Sequence, residues 1–173
     1  MQLNRLQGFR AMGFALACNA LAASAFAADD VVRTPLPDGN PFPISAAVTV
    51  RGDLDTVYVS GALPTVVDKN APKGSVASFG DMETQTVSTL NNIKSSLARL
   101  GLDMSHVVKM TVFMVGDPNK ENKVDFAGLM AGYSKFFGTP EQPNKPARSA
   151  LQVAALVLPG ALVEIEVIAV KPR

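Results

Sequence analysis

The sequence predicts an α+β domain in which two helices pack on one face of a mixed β-sheet. Segments with strand and helix periodicity follow one another in the order β-β-α-β-α-β-β. Helices that fall between strands normally pack together against a sheet. The last predicted strand also has one wholly apolar face suited to lie under those helices, and its residues are Val163, Ile165, Val167 and Ala169.

Five segments are predicted to be strands because they alternate or are rich in β-branched residues. They span residues 46–51, 56–60, 107–115, 147–157 and 161–170. Gly52-Asp53-Leu54-Asp55 is predicted to be a turn between the first two strands, and Pro159-Gly160 marks a turn between the last two. The final pair could therefore form an antiparallel hairpin.

Two segments have the apolar spacing of amphipathic helices, residues 81–100 and 124–137. Gly101 follows the first, and Gly138 with Pro140 follows the second, as is typical of helix ends. The polar stretches at 65–79 and 117–123 are interpreted as loops. Residues 28–41 are Pro-rich and polar, which predicts an N-terminal arm before a single domain over 42–173.

The first 27 residues are interpreted as a secretory signal peptide. Arg5 and Arg10 precede an Ala-rich apolar run over 11–26, and Ala25-Phe26-Ala27 fits a cleavage site. The run is shorter than the ~20 residues that a membrane span needs. We expect a periplasmic or secreted protein without a membrane segment after cleavage. Lipidation at Cys18 is the less favoured alternative, because the residues before it only loosely resemble a lipobox.

Composition excludes several kinds of chemistry. The 173 residues are 18% charged and 6% aromatic with a formal net charge of +1, which provides no basic surface for nucleic acid. The only cysteine is Cys18, so a cleaved chain has no disulfide or zinc thiolate. The only histidine is His106, which excludes multi-histidine metal sites and is interpreted as a surface residue. We therefore expect neither a metal nor a cofactor.

Several short motifs occur together in one order along the chain. They are Ser60-Gly61 with Pro64, Gln85-Thr86, residues 90–93, residues 108–113, residues 126–137, Pro146-Ala147-Arg148-Ser149 and Glu164-Ile165-Glu166. Over residues 42–173 this combination resembles the RidA/YjgF family, also labelled L-PSP endoribonuclease. The resemblance implies a chorismate-mutase-like subunit and a homotrimer with sites in the clefts between subunits. It also implies hydrolysis of 2-enamine or 2-imine acids to 2-keto acids and ammonia.

The resemblance assigns roles to particular positions. Arg148 matches the arginine that binds the substrate carboxylate, and Glu164 matches the acid that positions the attacking water. Gly61 matches a glycine whose backbone N–H meets the ligand, and Ser60 precedes it. The remaining candidates line the cleft, and they are Tyr133, Ala150 in place of a frequent cysteine, and Ile44 in place of a common tyrosine. Ile44, together with Met130 where asparagine is common, predicts a more apolar cleft.

The same residue types suit this chemistry independently of the resemblance. An arginine fork can hold a carboxylate with two hydrogen bonds, and a nearby carboxylate can orient or deprotonate water. Alternatives remain for each residue: Arg148 could form an ion pair with Glu166 or with an acid of another subunit. Glu164 could form an interface ion pair or extend to water, and Tyr133 could be a wall rather than a proton donor.

Three function classes follow from this reasoning. The first is an enamine/imine deaminase acting on small 2-imino carboxylic acids. The second is a non-catalytic protein that binds small carboxylates or acts as a holdase. An endoribonuclease is disfavoured because removal of residues 1–27 takes away two arginines and no acid, which leaves the chain weakly acidic.

A hairpin at Pro159-Gly160 would also predict whether the site lies within one chain or between chains. It would place Arg148 and Glu164 seven positions apart along the strands, roughly 23 Å at ~3.3 Å per residue. One chain could then not bring both groups to one small substrate. We therefore expect a site shared between chains of a homotrimer, with the number three implied by the resemblance.

Overall fold

The computed structural model describes residues 30–173. The predicted signal peptide and Cys18 lie outside the described residues. Two strands, β1 (Val31–Thr34) and β2 (Ala47–Val50), pair as a small antiparallel sheet. The other four form the main sheet, and they are β3 (Leu54–Ala62), β4 (Val107–Met114), β5 (Ala147–Gln152) and β6 (Val163–Pro172).

The main sheet is mixed, as predicted, with the strand order β3-β6-β4-β5. Strand β6 runs antiparallel to both β3 and β4, whereas β5 runs parallel to β4. The helices are α1 (Val76–Phe79), α2 (Met82–Ala98) and α3 (Phe126–Tyr133). Three 3-10 turns complete the described elements, at Pro37–Gly39, Met104–His106 and Pro118–Lys120.

The core lies between the main sheet and the pair α2 and α3. The apolar face predicted for β6 is confirmed, since Val163, Ile165 and Ala169 are fully buried and Val167 is 2% exposed. Three leucine or isoleucine side chains of α2 meet this face, and they are Leu90, Ile93 and Leu97. The opposite face of the sheet has no helix over it within the described chain.

Gln85 ties the start of β6 to helix α2. Its side chain is fully buried, and its carbonyl oxygen accepts from the backbone N–H of Leu162 at 2.7 Å. Its amide nitrogen donates to the carbonyls of Gly80 and Gly160 at 2.9 and 3.2 Å. A buried amide with all three bonds made holds the entry to β6 in one position.

The prediction of a hairpin between β5 and β6 is wrong. Strand β5 pairs with β4 and not with β6, which inserts between β3 and β4. The chain passes from β4 through α3 to β5, and a helical connection of this kind brings two strands together in parallel. Residues 153–162 then carry the chain across the sheet instead of turning back on β5.

Several boundaries also differ from prediction. Helix α3 is shorter than the predicted 124–137, strand β5 ends at Gln152, and the predicted loop 65–79 contains the one-turn helix α1. Strand β3 begins at Leu54, so the second half of the predicted turn over 52–55 belongs to the strand. The predicted arm contains β1. Arg33 in that strand donates hydrogen bonds to the carbonyls of Ser105, Val107 and Lys145 at 2.9–3.1 Å, which fixes the arm to the sheet.

Candidate functional site

Arg148 lies on the edge strand β5, level with buried Met110 of β4, and so faces the helix side of the sheet. Its guanidinium carbon is 4.3 Å from the ring centroid of Tyr133. The rings of Phe42 and Phe126 lie 5.4 and 5.9 Å away. These three rings form an aromatic cage around the cation, and contacts of this length are favourable cation–π interactions.

The guanidinium of Arg148 has no carboxylate partner among residues 30–173. Its two terminal nitrogens instead point at the sulfur of Met130, at 3.4 and 3.3 Å. Burial lowers the pKa of Arg148, yet an arginine stays protonated at neutral pH. A thioether is a weak acceptor, so this half-buried cation lacks a strong hydrogen-bond acceptor.

Helix α3 supplies two rings and the sulfur because of its spacing. Phe126, Met130 and Tyr133 stand at i, i+4 and i+7, which places them on one face of the helix. Asp125 caps the helix by accepting from the N–H of Gly128 at 3.0 Å. This cap sets where α3 begins and therefore which residues face Arg148.

Tyr133 forms the floor of the cage. Its side chain is fully buried, and its hydroxyl donates to the carbonyl of Pro43 at 2.9 Å. Burial raises the pKa of Tyr133, so the hydroxyl stays protonated. Its proton is already used in that hydrogen bond, which favours a wall and an anchor for Arg148 over a proton donor.

A second group of predicted residues lies on the neighbouring strands β3 and β6, with Ser60 and Gly61 on β3 and Glu164 on β6. The β3–β6 register pairs Val59 with Val167 and Ala62 with Ile165, so β3 carries one extra residue between them. This bulge leaves a residue outside the regular ladder. The Glu164 carboxylate lies over Gly61, where a Cβ atom would overlap Oε1 and stand 3.0 Å from Cδ.

Glu164 faces away from the helices. It lines a shallow pocket of about 230 Å³ together with Phe113 and Val157. Among the larger cavities, those of about 410 and 610 Å³ lie beside residues 66–79 and Pro159-Gly160 and contain no predicted site residue, whereas one of about 280 Å³ is lined by Ile44. Within the described residues, no group of His, Cys, Asp and Glu could hold a metal ion.

One chain does not bring Arg148 and Glu164 together. Arg148 is level with Met110, and Glu164 pairs with Phe113, three positions further along β4. Their side chains also lie on opposite faces of the sheet, two strands apart. The separation of seven positions expected from the hairpin is wrong, because the register places the two residues three positions apart; face and strand order keep them apart instead. Glu166 shares the face of Glu164, so it forms no ion pair with Arg148 of the same chain.

Two further candidates lie near Arg148. Ala150 follows two residues later on the same face of β5 and is exposed. Ile44 is held beside the start of β5, because the N–H of Ser45 donates to the carbonyl of Pro146 at 3.0 Å. The structure thus divides the predicted residues into an arginine group on one face and an acid group on the other.

Comparison with known proteins identifies the family. The model of the family described as "Endoribonuclease L-PSP" matches residues 40–171. The chain belongs to this family. It is the RidA/YjgF family that the sequence motifs predicted, and the mixed α+β fold agrees with that assignment.

Two curated members of the L-PSP family and one solved structure are similar to the chain. A RutC family protein of Haemophilus influenzae is 39% identical over 66% of this chain and 78% of its own length. The 3-aminoacrylate deaminase RutC of Acinetobacter baylyi is 34% identical over 78% of this chain and 94% of its own length. A Rid family protein, YyfB of Yersinia pestis, has a TM-score of 0.57 at 27% identity and covers 78% of this chain and 91% of its own.

Sequence reasoning did not assign two of the rings that contact Arg148. Phe126 could have been found from its helical spacing to Met130 and Tyr133. Phe42 carries no local signal, because only the folding of the arm brings it to β5.

None of the described helices is long and apolar enough to cross a membrane.

Proposed function

We propose that this L-PSP family member hydrolyses 2-enamine or 2-imine carboxylic acids to 2-keto acids and ammonia. The observation that carries the proposal is the half-buried guanidinium of Arg148, which has a thioether in place of an anion. Buried charges in proteins are normally paired. A substrate carboxylate would supply the missing partner through two parallel hydrogen bonds.

The surroundings of Arg148 indicate which acids would fit. Phe42 and Phe126 are nearly parallel, with ring centroids 6.3 Å apart, and Phe126 is 42% exposed. A substrate held by its carboxylate at Arg148 would place its side chain against these rings. We therefore propose acids with apolar side chains. The deaminase relative acts on 3-aminoacrylate, according to its name, which is also an enamine carboxylic acid but carries its nitrogen on C3 instead of C2.

Hydrolysis also needs an activated water, which we assign to Glu164. The water oxygen bonds to C2, the C=N π electrons move to nitrogen, and the proton that Glu164 takes from the water is passed to that nitrogen, which gives a carbinolamine. The hydroxyl proton on C2 then moves to the nitrogen, the C–N bond breaks, and ammonia leaves as the C2–O bond becomes the carbonyl of the keto acid. A carboxylate that accepts the water proton favours the first step. Backbone N–H groups at the Gly61 bulge would orient the ligand as fixed dipoles.

Since Arg148 and Glu164 of one chain lie on opposite faces, the proposal requires a neighbouring chain to supply the acid. The open face of the sheet is suited to such contact, because it exposes Tyr58 by 77% and Leu151 by 42%. Rotational symmetry would repeat the same cleft at each interface. We propose a homotrimer, in which the number three comes from the resemblance to the RidA/YjgF family and not from this geometry. A protomer alone would bind a carboxylate without hydrolysing an imine.

Arg148→Ala tests the anchor. Imines generated in situ by an amino-acid oxidase supply the substrate, and ammonia release is the readout. We expect kcat/KM to fall about 100-fold or more, with only a small drop in melting temperature from the lost cation–π contacts. Arg148→Lys keeps a charge but loses the planar fork, and we expect only partial activity. Full activity in Arg148→Ala would refute the proposal.

Glu164→Gln separates catalysis from binding. If Glu164 activates water, this variant loses hydrolysis but still binds a 2-keto acid. A wild-type protein that binds keto acids and releases no ammonia would favour the non-catalytic alternative. Sedimentation of the active protein tests the assembly, and an active monomer would contradict the shared site.

A further inference from the structure

We propose that Met130 is an oxidation site that controls carboxylate binding by Arg148. In this inference, conversion of its thioether to a sulfoxide blocks Arg148 from binding carboxylate ligands. The inference rests on the proposed function, because the binding that is lost is that of the substrate carboxylate. It assigns Met130 a regulatory role that the hydrolytic reaction itself does not require.

The geometry places the sulfur at the edge of the fork that a carboxylate would use. Both terminal nitrogens of Arg148 lie within 3.4 Å of Met130 Sδ. The cage rings lie around the guanidinium, with Tyr133 at 4.3 Å. A carboxylate that binds to this edge must displace the thioether. A thioether is a weak acceptor on a flexible side chain, so its displacement costs little.

Met130 is also the most accessible methionine of the described chain. The other four methionines in residues 30–173 are between 0 and 5% exposed, and they are Met82, Met104, Met110 and Met114. Met130 is partly exposed. Cysteine, which competes for oxidants, does not occur in residues 30–173. A peroxide should therefore modify Met130 before the other methionines of this region.

The modification is a two-electron oxidation by hydrogen peroxide. The sulfur lone pair attacks one peroxide oxygen, an S–O bond forms, and the O–O bond breaks. The second oxygen leaves as water after taking a proton, so that thioether and peroxide become sulfoxide and water. Methionine sulfoxide is reversible by a reductase with a thiol as electron donor.

A sulfoxide oxygen differs from a thioether in hydrogen-bonding strength. Oxidation converts an apolar side chain into a polar one with a strong oxygen acceptor. After a small rotation of the Met130 side chain, this oxygen would accept from the terminal N–H groups of Arg148. Hydrogen bonds to a charged donor are about twice as strong as neutral ones. The sulfoxide would then compete with the ligand carboxylate from within the protein.

The experiment compares the full chain before and after treatment with hydrogen peroxide. Peptide mass spectrometry measures sulfoxide at each methionine, and calorimetry measures the Kd for 2-oxobutanoate, a stable 2-keto acid. Among the methionines of residues 30–173 we expect oxidation first at Met130, and we expect a Kd about tenfold higher. Incubation with methionine sulfoxide reductase and dithiothreitol should restore the original Kd.

Met130→Leu is the matched control, because it removes the sulfur and keeps an apolar side chain of similar volume. Its Kd, whatever its starting value, should not change on peroxide treatment. A wild-type protein that never binds the keto acid would defeat the proposed function instead. Binding that survives full conversion of Met130 to the sulfoxide would overturn the inference. Earlier oxidation of a buried methionine, or an equal loss of binding in Met130→Leu, would also overturn it.

Discussion

The variant Gly61→Ala, which adds one methyl group, should lower the rate of hydrolysis without changing the stability of the fold. The backbone of Gly61 does not lie in the left-handed region, so alanine is compatible with its conformation. The added Cβ would, however, overlap Oε1 of Glu164 and stand 3.0 Å from Cδ and 3.2 Å from Cγ. Carbon atoms in good contact lie ~3.5–4.0 Å apart, so the carboxylate must move by about 1 Å or rotate away.

The structure allows that movement at low cost in stability. Glu164 is partly exposed, and its displaced end is the tip of a flexible side chain beside an open pocket. We expect the free energy of unfolding of Gly61→Ala to change by less than about 0.5 kcal/mol, as for a surface substitution. Misplacing a group that orients water by about 1 Å can lower the rate by about 100-fold.

The assay is imine hydrolysis with separate kcat and KM, together with urea unfolding. We expect a lower kcat and a nearly unchanged KM, since Arg148 would still hold the substrate. In a Glu164→Gln background, Gly61→Ala should have little further effect, because the two changes act through one carboxylate. A wild-type kcat in Gly61→Ala would refute the assignment of Glu164 to the attacking water. So would an undiminished effect in the double variant.

Three further predictions concern stability and processing. Gln85→Leu keeps the side-chain size but leaves the buried N–H of Leu162 without its acceptor, so urea unfolding should show a loss of about 1–3 kcal/mol. An unchanged unfolding midpoint would contradict the role given to that amide. The ammonium of Lys120 is the main cause that lowers the pKa of Asp125. Because the folded pKa is below the unfolded value of about 3.9, this stabilisation is present above pH ~4 and is lost as pH falls through the folded pKa. Asp125→Asn should therefore lose less stability between pH 5 and 2 than the wild type, and parallel curves would argue against the ion pair. Mass spectrometry of protein from its native host should show an N-terminus near Ala28, whereas retention of Met1 would refute the predicted signal peptide.

The helices and strands of the main sheet were largely predictable because their signals are local. The alternation over 161–170 identified the buried face of β6, and the spacing over 81–100 identified α2. Short motifs around Ser60-Gly61, Arg148 and Glu164 were sufficient for the family. The strand β1 was missed because its four residues follow no periodic pattern long enough to distinguish them from a polar arm.

The pairing of the strands could not be predicted in the same way. The alternation of apolar and polar residues shows which side chains share a face of one strand, but it does not show which strand lies beside it. The turn at Pro159-Gly160 suggested that β5 and β6 are neighbours, whereas β6, with one fully apolar face, occupies the centre of the sheet. A central position depends on the burial that β3 and β4 offer on both sides, which is a property of the assembled core.

The amino-acid sequence by itself was therefore sufficient for the fold class and the family, and it named the candidate site residues, whose roles stay predictions. Only the tertiary structure decided that Arg148 and Glu164 face opposite sides of one sheet, and that Phe42, Phe126 and Met130 surround the arginine. The physical reason is the distance along the chain over which each kind of interaction acts. Periodicity and capping act within a few residues of one another, whereas the face and neighbours of a side chain depend on contacts between segments about a hundred residues apart, such as Phe42 and Arg148.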